Sequence, residues 1–70
     1  MTLRDAKEGE VYVIKSIDID DEELVSFLFS LGCYVGEPVA MISQLRGGCV
    51  VSIKDSRYSI DKQLAAAIKV

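Results

Sequence analysis

The chain has 70 residues, half of them hydrophobic, which fits one small domain spanning residues 1–70 and leaves no room for a second core. A net charge of −3 argues against the basic face that binding to nucleic acid requires. With no histidine and only two cysteines, the composition also speaks against a histidine-based catalytic centre and a zinc site of four ligands.

The opening residues, MTLRDAKEGE, are charged throughout, so no signal peptide is expected, and Thr2 to Ala6 reads as a short polar lead-in. Lys7-Glu8-Gly9 is a turn signal. From Glu10 to Ile17 the sequence EVYVIKSI reads as one strand, rich in β-branched residues. Alternation puts Val11, Val13 and Ile17 on one side and Tyr12 and Ile14 on the other.

A helix follows over Asp21 to Leu31. Leu24, Phe27, Leu28 and Leu31 recur at i, i+3, i+4 and i+7, the spacing of a single apolar stripe. Asp20 and Glu23 have the spacing of a capping box, and the acids of the first turn suit the positive end of the helix dipole. Gly32 stands where a C′ glycine with positive φ ends a helix, and Gly36 and Pro38 turn the chain outward.

Val39 to Gln44 reads as the next strand, and Leu45-Arg46-Gly47-Gly48 as a hairpin whose paired glycines supply positive φ. Cys49 to Lys54 returns as a strand, Asp55-Ser56 reverses the chain, and Arg57 to Ile60 forms a fourth strand. Asp61 caps a turn or two of helix to Ala67, and Ile68 to Val70 is a last short strand. The expected fold is mainly β, a small bent barrel of about five short strands with one α-helix inserted after the first long strand. Val13, Leu28, Leu31, Val39, Val51, Ile53, Ile60 and Ile68 are its expected core.

Candidate chemistry is sparse. Asp18, Asp20, Asp21, Glu22 and Glu23 offer oxygen ligands suited to calcium or magnesium, but they lack the alternating ligands and central glycine of an EF-hand. Capping already explains most of them. Cys33 and Cys49 read as free thiols packed as small hydrophobes. The tyrosines Tyr12, Tyr34 and Tyr58 are too scattered to form the aromatic groove of a proline-rich-peptide reader. No cofactor, metal ligand or catalytic residue is assigned.

The helix holds more apolar surface than one face can bury. At ~100° per residue, Val25 and Phe29 swing away from the stripe. This surplus is either a second core edge, if the barrel wraps further around the helix, or a partner-binding patch; with Tyr34 in the following loop, Val25 and Phe29 form the preferred partner-binding surface.

One resemblance covers essentially the whole chain. Thr2-Leu3-Arg4-Asp5-Ala6 with Gly9, Leu31-Gly32 with Gly36, Val39 with Met41, Gly48 with Val51 and Ile53, and Tyr58-Ser59-Ile60 followed by Ala66, Ile68 and Val70 are similar to the FeoA family. That resemblance implies an SH3-like barrel, an accessory of ferrous iron uptake that acts by contact with the cytoplasmic GTPase region of a FeoB-type transporter. It implies a cytoplasmic protein that does not insert into the membrane, with weak self-association the other contact to expect. Because FeoA-like sequences keep an apolar residue at the Phe29 position, it also implies that Val25 is the more exposed of the two off-stripe residues. The alternative is a free-standing SH3-like adaptor related to the C-terminal domain of metal-dependent transcriptional repressors.

Overall fold

The computed structural model describes residues 1–70. Four antiparallel strands form the main sheet in the order β1 (Val11–Val13), β3 (Pro38–Leu45), β4 (Gly48–Ile53) and β5 (Ser56–Asp61). A second, two-stranded sheet pairs β2 (Ser16–Ile17) with β6 (Ile68–Lys69). Helix α1 (Glu22–Ser30) enters between β2 and β3, and α2 (Lys62–Ala67) lies between β5 and β6. The fold is mainly β, as expected, with six strands rather than about five.

The extra strand comes from the first long one, which is split. Just past β1, Ile14 still bonds to the turn that leads into β3, donating to the Glu37 carbonyl at 3.0 Å and accepting from the Gly36 N–H at 2.8 Å. Lys15 already donates to the Lys69 carbonyl at 2.8 Å. The chain thus changes partners between Ile14 and Lys15, which bends one strand across two sheets.

The alternation in β1 is real, but the face it buries is not the one that holds Val13. Ile14 is fully buried and Tyr12 packs against the core, whereas Val11 is exposed and Val13 is 53% exposed. Val13 is therefore not a core residue. Both sides of this strand are apolar, so alternation alone could not say which faces inward. Among the other expected core positions, Leu28, Val39, Val51, Ile53 and Ile68 are buried, Ile60 is half-buried against the core, and Leu31 is only half-buried.

The lead-in is also more than a polar arm. Leu3–Asp5 is a 3-10 turn with a capping box, in which Thr2 Oγ1 accepts from the Arg4 N–H and the Asp5 carboxylate accepts from the Thr2 N–H. Its Leu3 and Ala6 are core residues. Gln44 fastens the turn to β3, its amide donating to the carbonyls of Leu3 and Ala6, each at 2.8 Å.

The α1 cap sits one residue later than the spacing of Asp20 and Glu23 suggests. Asp21 is the N-cap, and its Oδ1 accepts from the N–H groups of Glu23 and Leu24 at 3.0 and 3.2 Å. At the other end Gly32 has φ +90°, with its N–H on the Phe29 carbonyl and the Cys33 N–H on the Leu28 carbonyl. This pair of bonds is a Schellman motif and satisfies carbonyls that the helix end would leave open.

The hairpins divide their work unexpectedly. Neither Gly47 nor Gly48 takes a positive φ; that conformation falls instead on Lys54 (φ 49°) and Asp55 (φ 68°), between β4 and β5. Gly48 is needed for room, because a Cβ there would collide with the Ile60 carbonyl on the neighbouring strand.

Candidate functional site

Of the stripe on α1, only Leu28 is fully buried; Leu24 and Leu31 are half-buried and Phe27 is 57% exposed. The helix therefore touches the barrel along a narrow line and leaves most of its apolar surface outside. Phe29 is 64% exposed and Val25 38%, the reverse of the expected order. Val25 and Phe29 are one turn apart on the helix, so they lie on the same side of it.

The Schellman turn decides what stands beside Phe29. By reversing the chain at Gly32, it brings Tyr34 back against the helix, where the two rings lie 4.9 Å apart between centroids and tilted by 33°. Aromatic pairs at such separations are favourable beyond the area they bury. Val35 follows as another exposed apolar side chain. The three expected partner-binding residues, Val25, Phe29 and Tyr34, thus occur on one helix and its reversing turn. Phe27 and Val35 add to the exposed apolar surface, and the sequence reading missed both. Phe27 was hidden by its place in the stripe, and Val35 carried no signal of its own.

Charges frame this surface. Lys54 Nζ stands 5.8 Å from the Tyr34 ring centroid and 3.4 Å from Glu37 Oε1. Tyr34, and then the Lys54 ammonium, hold the Glu37 carboxyl below its ordinary value. Glu37 and then Tyr34 in turn raise the Lys54 amine. Ahead of the helix and in its first turn, Asp18, Asp20, Asp21, Glu22 and Glu23 are all exposed.

Reactive groups lie elsewhere. Cys33 and Cys49 are free, buried thiols, and burial pushes both above the ordinary thiol range, partly countered at Cys49 by Arg4. No group of three or more His, Cys, Asp or Glu side chains is gathered to hold a metal ion. No helix is long and apolar enough to cross a membrane. A groove of about 310 Å³ opens between the approach to α1 and α2, and a depression of about 400 Å³ lies over Gly47 and Gly48.

A family model described as the FeoA domain matches residues 1–70. No curated protein matches the chain. Among solved structures, the FeoA protein of Chlorobium tepidum is similar at TM-score 0.88 and 17% identity, over 99% of this chain and 67% of that one. The zinc-complexed FeoA of Stenotrophomonas maltophilia, described as a prokaryotic SH3 domain protein and a candidate ferrous iron transport activating factor, is similar at TM-score 0.84 and 21% identity. That match covers 100% of this chain and 88% of the other. A manganese-dependent transcriptional repressor is similar at TM-score 0.83 and 17% identity over 97% of this chain, which spans only 39% of the repressor. At these identities the structural likenesses show a shared SH3-like fold.

Proposed function

The chain belongs to the FeoA domain family, which is linked to ferrous iron transport, and on that premise we propose that it is an accessory of ferrous iron uptake that docks on the cytoplasmic GTPase region of a FeoB-type transporter. The observation that carries this reading is the Phe29–Tyr34 pair, held at 4.9 Å on an otherwise open helix face. Two aromatic side chains fixed by a capped helix end lose little freedom on binding. Aromatic anchors of this kind concentrate contact energy. Val25 extends the patch along the helix. The acidic residues from Asp20 to Glu23 favour a basic partner surface and speed encounter more than they add affinity.

The proposed activity is contact without catalysis and takes place on the cytoplasmic side of the membrane, where a GTPase region would be reached. Mixing the purified chain with the isolated GTPase region and following the complex by sedimentation tests it. A saturable complex that weakens on Phe29→Ser supports the reading, and two independent sedimenting species at high micromolar concentration contradict it.

The likeness to the manganese-dependent repressor favours a second reading, an adaptor that docks on a metal-responsive regulator. The same experiment separates the two when such a regulator replaces the GTPase region.

A further inference from the structure

The groove beside α1 is distinct from the Phe29–Tyr34 face. Its apolar lining comes from Ile19, Leu24, Leu64 and Ala67, and Asp18 and Asp61 stand on its rim. Ile19 and Leu64 rest against the core, whereas Leu24, in the first turn of α1, is half-buried and lines the groove. A volume of about 310 Å³ is at the lower end of ligand pockets and has room for one or two side chains.

The rim is negative and only loosely neutralised. Asp61 Oδ1 receives the Leu64 N–H at 2.8 Å as the cap of α2, but its carboxylate remains exposed. Asp18 meets Lys69 at 3.6 Å with both side chains largely in solvent, and such a pair holds weakly and is easily exchanged. From Asp18 to Leu24 the chain carries five acidic side chains and no basic one. An apolar floor beneath exposed carboxylates is complementary to an aliphatic side chain flanked by cations.

We propose that this groove receives a Leu or Ile side chain from a protein segment with Lys or Arg on both flanks, the cations lying against Asp18 and Asp61. The aliphatic group covers Leu24 and Leu64, and the flanking cations set the register of the segment. The site does not depend on Phe29 or Tyr34, so it stands or falls apart from the transporter contact proposed above.

The test titrates the isotope-labelled chain with an amidated Leu-Ile peptide flanked by lysines, and with its glutamate-flanked counterpart, following backbone amides by NMR. The lysine peptide should move Ile19, Leu24, Leu64 and Ala67 to saturation, and the glutamate peptide should leave them in place. Replacing Asp18→Asn together with Asp61→Asn keeps the α2 cap, since Asn caps as well as Asp. That pair should weaken the lysine peptide by roughly three- to tenfold and flatten its salt dependence. Ala67→Leu should fill the groove and remove the shifts while Phe29→Ser leaves them unchanged; if Ala67→Leu unfolds, the Asn pair carries the test. Equal shifts with both peptides, shifts confined to the Phe29 face, or the same amides moving on dilution of the chain alone would each overturn the proposal. The last would assign the groove to a second copy.

Discussion

Gly32 lies directly beneath the aliphatic stem of Lys54: a Cβ at this glycine would stand 2.8 Å from both Cδ and Cε of the lysine. The same lysine reaches past Tyr34 to Glu37, so the helix end, the reversing turn and the β4–β5 hairpin meet at one point.

Gly32→Ala is therefore expected to cost roughly 1 to 2 kcal/mol, most of it from placing a side chain at φ +90°. The lysine stem is flexible and can yield, so crowding adds little. Thermal melting measures the loss, and an unchanged Tm would show that the helix end does not depend on this conformation.

The two hairpin glycines should behave differently. A Cβ at Gly47 meets nothing within 4 Å, whereas one at Gly48 would overlap the Ile60 carbonyl and lie 2.9 Å from the Asp61 Cα. Backbone atoms cannot step aside as a lysine can. Gly48→Ala should cost about 2 kcal/mol or more, and Gly47→Ala should fall within about 0.5 kcal/mol of the parent. Denaturant midpoints of the two variants compare them directly, and equal midpoints would mean that β4 and β5 do not approach this closely.

Both thiols should be protected and should make the fold sensitive to alkali. Burial raises Cys33 and Cys49 in the folded chain, so on raising the pH the unfolded chain loses its thiol protons first. The stabilising effect is complete below the ordinary thiol value of 9.0 and disappears as the pH rises through the higher folded values. Stability should therefore fall over the interval above about pH 9, and alkylation in native buffer should be slow. A denaturant midpoint that holds or rises over that interval would contradict this, as would rapid alkylation at pH 7.

Much of the architecture is legible in the sequence, because local rules specify it. Asp61 caps α2 and Gly32 ends α1 with positive φ, as their positions in the chain indicate. What the sequence did not show depends on partners distant in the chain. The split after Val13 occurs because Lys15 finds Lys69, and Leu3 and Ala6 are core residues because Gln44 holds their turn from 38 or more residues away. The inward face of β1 was undetermined where both faces are apolar. Gly48 was identified as a turn glycine from its neighbour, when the reason for it lies on β5.

The docking residues were legible in part for the same reason. Helical geometry turns Val25 and Phe29 off the stripe. It does not say how narrow the helix contact is, and that contact leaves Phe29 more exposed than Val25 and Phe27 outside the core. The Phe29–Tyr34 stacking needs the reversal at Gly32, which a linear pattern only hints at.

The most direct test of the docking surface pairs a circular dichroism melt with a binding isotherm against the transporter's GTPase region at fixed salt, for Phe29→Ser and Val25→Asp. Both positions are exposed, so Val25→Asp should melt within about 0.5 kcal/mol of the parent, while Phe29→Ser should lose about 1 kcal/mol with the Tyr34 ring pair and still fold. Binding should weaken by about tenfold or more, the loss expected of a residue at the centre of an interface. Folded variants that bind with the parent Kd would contradict the account.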